Sequence, residues 1–267
     1  ISFKPRAERK KILLLCDDIR SHSGVANIAK DIVVRTCQHF NWVNIAGAIK
    51  HPDAGKKLDI TEALQKELGI EDIYCMIYPT NGYGDPQFLR RVIKEEDPDA
   101  IMIITDPRYF EWLFNMEREI RREIPIMYLN IWDDWPAPQY NQAFYESCDG
   151  LFAISKQTKL INEIVLGDKV KDKVLKYIPH GINTDLFYPK TENDKDYKEY
   201  QQYKEQLLKK DYEFTMLFNS RNMRRKQIPD AMVAFRMFLD RLPKEEADKC
   251  AFVLHTEVVS EHGTDLH

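Results

Sequence analysis

The sequence predicts an α/β protein whose N-terminal part is a doubly wound parallel sheet, followed by the beginning of a second, Rossmann-like α/β unit. Three observations carry this. Seven short aliphatic runs, "KILLLC", "VNIAGAI", "IYCMIYP", "AIMIIT", "IPIMYLNIW", "GLFAIS" and "VLKYIP", alternate with stretches of helical spacing, the pattern of a parallel sheet with crossover helices. The composition then changes to the charged stretch "KTENDKDYKEYQQYKEQLLKKDYE". Finally the alternation restarts with a strand at "FTMLFNS", a helix at "IPDAMVAFRMFLDRL" and a strand at "CAFVLHTEV". The expected divisions are a first domain over 1–185, a charged linker with a solvated helix over 186–212, and the start of a second domain over 213–267. Two strands fall short of the 100 or so residues that a full open α/β domain needs, so the second domain is expected to be incomplete. An initial Ile in place of Met suggests a trimmed start.

The totals suit a globular protein. A chain of 267 residues has room for two domains at about 100 to 200 residues each. Apolar residues make up 43% and charged residues 31%, which allows a sizeable core. A net charge of -4 gives no general attraction to nucleic acid or anionic membrane, so any polyanion site must be local. The five cysteines are scattered, without a Cys-x-x-Cys pair, and read as free thiols in a reducing compartment. The basic start before "ILLLC" mimics a secretory leader, but its apolar run is shorter than the required 7 or so residues. No run approaches the roughly 18 apolar residues of a membrane span. The expected location is cytoplasmic.

The first unit begins with the strand "KILLLC" and the loop "DDIRSHSG". Ser23 stands at an N-cap position, and Val25, Ile28, Ala29, Ile32 and Val33 follow helical spacing. Gly24 at that helix start leaves backbone N–H groups free for a phosphate, or serves only a tight turn. A dinucleotide fingerprint needs three glycines, and one is present, which disfavours hydride transfer. The fourth run ends at Asp106 and the fifth at Asp133 and Asp134 between Trp132 and Trp135. Carboxylates at strand tips can face one crevice; Asp106 could equally cap the next helix, and the tryptophans could stack on a sugar or belong to the core. Asp97 and Asp99 match an Asp-x-Asp metal pattern by letter but fall at the opposite strand end, where a plain loop is expected. No metal site is expected. The first unit closes on "IPHGINTDLFYP", where His180 has either a turn role or a ligand role.

In the second unit "NSRNMRRKQIPD" directly follows the strand, placing Arg221, Arg224, Arg225 and Lys226 at the start of a helix. Cations there oppose the helix dipole by about 0.3 to 1 kcal/mol each. Together with free N–H groups they make a diphosphate site, and a local conflict of this kind marks function.

The glycine turn after the first strand, "IPHGINTDLFYP" and the Arg-x4-Lys of "SRNMRRK" together resemble the GT-B glycosyltransferases, specifically glycosyltransferase family 4, over about Lys11 to Leu254. The resemblance implies transfer of a sugar from a nucleotide sugar of the UDP or GDP class to an acceptor it does not identify. It implies retention of anomeric configuration, no divalent ion and no cofactor beyond the donor itself. By position, Arg221 and Lys226 would hold the donor phosphates and stabilise the leaving group. Gly24 and Ser23 would lie near diphosphate or acceptor, with Asp106 and His180 binding substrate and Asp133 and Asp134 acting at the acceptor. The sequence departs from the family where Lys-Gly becomes Lys226-Gln227 and where His-Asp or His-Glu becomes Trp132-Asp133. The family's Glu-x7-Glu element would fall after His267. A noncatalytic nucleotide- or sugar-binding module, or a glycosyltransferase acting on nucleic acid, are the alternatives; the acidic balance argues against the latter.

Overall fold

A computed structural model describes residues 3–267 as two compact units, one running to Gly181 and the other from Ile182 to His267. The division falls four residues before the boundary expected from sequence, and the charged 186–212 stretch groups with the second unit.

The first unit is built on a sheet of strands β1 (Lys10–Asp17), β2 (Phe40–Gly47), β3 (Leu58–Asp59), β4 (Cys75–Pro79), β5 (Ala100–Ile104), β6 (Ile126–Asn130), β7 (Gly150–Ala153) and β8 (Val174–Tyr177), in the spatial order β3-β4-β2-β1-β5-β6-β7-β8. The seven aliphatic runs are the seven parallel strands. The sheet has one strand more than expected: β3, antiparallel to β4 on the outer edge. Two residues, one of them charged, carry no aliphatic signal in the sequence.

Both faces of the sheet are covered, which is why its strands read as apolar runs and not as alternations. Leu13, Val43 and Ile101, adjacent in register, are fully buried on one face. They pack with Leu89 and Val92 of the helix Pro86–Glu96 and with Ile161 and Val165 of the helix Lys156–Leu166. Leu14, Cys16 and Ala46 point the other way, onto Ala29 and Val33 of the helix Gly24–Thr36 and Leu64 of the helix Thr61–Leu68. Each fully buried aliphatic side chain contributes about 1.5 to 3 kcal/mol relative to exposure. The chain runs outward from β1 through β2 to β4, then returns to pair β5 on the other side of β1. This reversal separates the loops after β1 and β5 and opens a crevice at the carboxyl edge of the strands.

The same unit is fastened by a buried carboxylate. Glu96, 1% exposed, accepts hydrogen bonds from Tyr74 (2.6 Å) and Tyr78 (2.7 Å) and ion-pairs with Lys11 (3.1 Å) and Lys57 (2.5 Å). Burial alone would raise its pKa, but these four partners outweigh that and hold it at about 2. Asp97, next to it, is the left-handed C-cap of the Pro86–Glu96 helix, and Asp99 pairs with Lys10 and accepts from the N–H of Lys11. The Asp-x-Asp pair is thus the plain loop its position suggests.

The second unit contains the helix Tyr197–Leu208 and the parallel pair β9 (Phe214–Asn219) and β10 (Cys250–His255), crossed by the helix Ile228–Leu239. Asn222 is buried behind β9 and ties the loop that follows it to the segment after β10. Its side-chain amide donates to the carbonyls of Glu257 (3.0 Å) and Thr264 (2.6 Å), and its Oδ1 accepts from the Thr264 N–H (3.0 Å).

The Glu96 cluster sets a stability test. Replacing Glu96 by Ala removes the carboxylate acceptor of Tyr74 and Lys57 and one of two acceptors each of Tyr78, which keeps Glu95, and Lys11, which keeps the carbonyl of residue 96, and should cost about 2 to 4 kcal/mol at pH 7. The folded pKa lies below the unfolded value of about 4.3. The ionic part of the contribution is therefore complete above about pH 5 and is lost as pH falls toward 2. Urea midpoints of wild type and Glu96→Gln should converge over that window; a gap independent of pH would assign the effect to packing.

Candidate functional site

The candidate site of the first unit grows from the last residues of β1. Asp17 ends β1 after the apolar run 12–16, Asp18 follows it, and both are buried. Asp17 accepts from the hydroxyl of Tyr83 (Oδ1, 2.9 Å) and from Ser23 Oγ. Ser23 in turn caps the helix Gly24–Thr36, its Oγ accepting from the N–H of Ala26 at 2.9 Å. The expected N-cap is therefore present and is itself anchored from below. Gly24 is not there for a turn: its φ is not in the left-handed region, and an added Cβ would meet nothing within 4 Å. The glycine leaves the helix terminus bare, where the first N–H groups have no intrahelical acceptors.

Asp18 holds the neighbouring loop. Arg20 donates to it from Nε (2.9 Å) and from the terminal nitrogen (2.6 Å), and His51 Nε2 lies 3.2 Å away. His51 Nδ1 accepts from the N–H of Asp53 (3.1 Å), and its Nε2 also lies 2.9 Å from the Arg20 guanidinium, so Arg20, His51 and Asp18 form one cluster. Burial pushes the Asp18 carboxyl up, but the Arg20 bonds and His51 outweigh it and leave it below its ordinary range.

Across the switch point, β5 ends in Thr105, a buried β-branched residue at φ 101°. Such a conformation costs of order 1 to 3 kcal/mol and is kept only where the surroundings enforce it; here the Tyr128 hydroxyl donates to its carbonyl at 3.0 Å. Asp106 follows and caps the short 3-10 helix Pro107–Phe110 by accepting from the Arg108 N–H at 3.0 Å. It also forms a bidentate pair with the Arg108 guanidinium (2.9 and 2.5 Å). Burial opposes ionisation of Asp106, yet Arg108 lowers its pKa overall. Capping and position at the strand tip coincide in one residue.

After β6, Asn130 is fully buried and fixes the next loop. Its Oδ1 accepts from the Trp132 N–H (2.9 Å), and its amide donates to Asn162 (2.6 Å). Thr158 Oγ1 donates to the Trp132 carbonyl (2.8 Å), and Gln157 to that of Asp133 (3.2 Å). Trp132 is half-buried against the core while Trp135 is exposed, so the two tryptophans do not share one role. The Asp133 and Asp134 side chains are exposed and, among the described residues, have no cation within 4 Å.

These contacts join several of the predicted residues. Ser23 meets Asp17, Asp17 meets Tyr83, and Tyr83 stacks on Tyr109 at 4.7 Å between centroids. Beside Tyr109, the Arg108 guanidinium bonded to Asp106 lies 5.7 Å from the Trp132 ring. His180 stands apart after β8, at the same edge but beyond β7. It is exposed, and Gly181 needs neither a left-handed φ nor space, so turn geometry does not account for the glycine. Sequence reasoning missed Asp17, Tyr83 and Asn130. The two aspartates closing "ILLLCDD" are the signal that could have found the first.

In the second unit the loop after β9 carries Arg221 and the 3-10 helix Arg224–Lys226. All four cations are exposed and, among the described residues, none has an acidic partner within 4 Å. Gln227, where the family 4 pattern that the sequence resembles has glycine, lies in the left-handed region at φ 51° and starts the helix Ile228–Leu239. The backbone there asks for glycine.

No family model and no curated protein sequence matches the chain. Solved structures do. Anabaena Alr3699/HepE in complex with UDP and glucose aligns with a TM-score of 0.58 at 14% identity, over 92% of this chain and 60% of that one. The structure described as trehalose-6-phosphate from E. coli bound with UDP-2-fluoro glucose gives 0.60 at 12% identity, over 95% and 67%. The α,α-trehalose 6-phosphate synthase from Burkholderia multivorans gives 0.55 at 14%, over 92% and 64%. The chain thus spans about 60% of the length of the first of these. At such identities the likeness is one of fold, and the fold is of the GT-B type: a doubly wound parallel sheet followed by Rossmann-like elements.

Proposed function

We propose that the chain belongs to a retaining, metal-independent glycosyltransferase of family 4, which moves a sugar from a UDP- or GDP-sugar to an acceptor in the cytoplasm. The observation that carries the reading is the loop after β9. Four exposed cations without acidic partners surround the start of the helix Ile228–Leu239, and their mutual repulsion has no compensating contact within the described residues. A bound diphosphate supplies one. The loop is also held in place from below, since Asn222 pins it and the Arg224 N–H donates to the carbonyl of His262 at 3.1 Å. The fold neighbours crystallised with UDP and glucose, and with UDP-2-fluoro glucose, support a nucleotide-sugar donor.

In this reading the bond between the anomeric carbon and the distal phosphate breaks while the acceptor oxygen bonds to that carbon. Negative charge grows on the departing phosphate, and Arg221 and Lys226 meet it with fixed positive charge. On the first unit, the bare helix start at Ser23 and Gly24 and the loops of Asp106 and His180 bind substrate. Asp133 and Asp134, free of cation partners, receive the acceptor hydroxyl.

Separate replacement of Arg221 and Lys226 by Ala in the full-length protein should lower turnover by about 10² to 10³, with a smaller loss of acceptor affinity. Unchanged turnover and unchanged UDP and GDP affinity in both variants would reduce the loop to a solvated charge run. Transfer should also survive EDTA, because the cationic loop takes the electrostatic role a metal would have; loss on chelation with recovery on adding Mn²⁺ would reject the assignment. Gln227→Gly relieves a left-handed residue and should raise stability by about 0.5 to 1 kcal/mol, read as an increased urea midpoint.

A further inference from the structure

Two aromatic surfaces at the carboxyl edge of the first sheet have no part in donor chemistry. The first is Tyr109, whose inner face stacks on Tyr83 at 4.7 Å with planes 17° apart, leaving the residue 56% exposed. The second is Tyr140, 65% exposed, set edge-on to Trp132 at 6.0 Å. Arg108 links them, since its guanidinium lies 5.7 Å from the Trp132 ring and its chain neighbour is Tyr109.

Single exposed aromatics are ordinary. These differ in being locked from beneath. The Tyr83 hydroxyl is fixed by the buried Asp17 carboxylate, and burial followed by that negative charge raises its pKa and keeps it protonated as a donor. The Trp132 backbone is held at both its N–H and its carbonyl, by Asn130 and Thr158, and its ring is packed against the core. Rings ordered before any ligand arrives lose little side-chain entropy on binding.

Charge selects the ligand. Arg108 is the cation between the rings and is already neutralised by Asp106, while Asp133 and Asp134 add uncompensated negative charge. An anionic ligand is repelled. A nucleic-acid strand could stack its bases here but would lack cations for its phosphates. A sugar ring has what the surface asks for: an apolar C–H face for an aromatic plane and hydroxyls that donate to carboxylates.

We propose that Tyr109 and the Tyr140–Trp132 pair are two stacking subsites for an acceptor that is a neutral or amino-sugar glycan of at least two residues. The inference rests on the glycosyltransferase reading for the word acceptor, but binding is measurable without donor or turnover.

The test presents the whole chain to an array of neutral and amino-sugar glycans of two to four residues, then titrates the best ligand against glucose, glucose 6-phosphate and an oligothymidylate. The expected result is capture of at least one glycan, bound more tightly than the other three probes. Tyr109→Ala and Tyr140→Ala should each weaken it by about five- to tenfold, with thermal midpoint and UDP affinity unchanged. Tyr83→Phe, which keeps the ring and removes its anchor to Asp17, should weaken it less. Capture of no glycan, tighter binding of glucose 6-phosphate or the oligonucleotide, or affinity untouched in both alanine variants overturns the proposal. Failure of the donor reading looks different: UDP and GDP binding is absent, or indifferent to Arg221 and Lys226, while glycan capture persists.

Discussion

The carboxyl edge of the first sheet depends on one buried carboxylate. Asp17 ends β1, the central strand, and an unpaired charge there would cost several kcal/mol. Its oxygens are instead satisfied by Ser23 and by Tyr83. One bond fixes the start of the helix Gly24–Thr36, and the other reaches across to the loop after β4. The loops after β1 and β4 are therefore set by the same group. Removing it would free the helix cap and the Tyr83–Tyr109 stack together, although these lie 60 and more residues apart in the chain.

A second anchor, Asn130, does for the loop after β6 what Asp17 does for the loop after β1. Both are buried polar residues at the tips of apolar strands whose side-chain bonds leave the sheet, toward a following loop and, for Asn130, also toward Asn162 of the helix Lys156–Leu166. Burying such groups is tolerated only where partners are complete. The sheet thus supplies a rigid floor, and the polar tips transfer that rigidity to otherwise irregular segments. Glu96 is the counterpart away from this edge: it fastens strand, loop and helix through four partners but exposes nothing that a ligand could meet.

How much of this was legible follows from what each feature depends on. The parallel strands were readable because burial on both faces writes itself as a continuous apolar run, and β3 was not because two residues at a sheet edge leave no run. The Ser23 cap and the cations of the β9 loop were readable from local chemistry alone. Asp17 to Tyr83 was not, because it joins residues 66 apart in the chain and spacing carries no record of such a contact. Asp106 shows a third case: the capping reading holds, and the same side chain also pairs with Arg108 beside Trp132, a contact between residues two apart that the sequence reading did not consider.

The two places where the sequence differs from the family 4 pattern that it resembles have physical meaning of their own. Gln227 occupies a left-handed position and so carries strain that glycine would avoid. That the loop nonetheless keeps its course is explained by Asn222, whose bonds to the segment after β10 fix the backbone five residues earlier. At Trp132-Asp133 the substitution has the opposite character: the ring gains a packed position against the core and an edge contact with Tyr140, while the carboxylate beside it stays exposed. A histidine there would bring a titrating group to the strand tip, whereas tryptophan brings a fixed apolar surface.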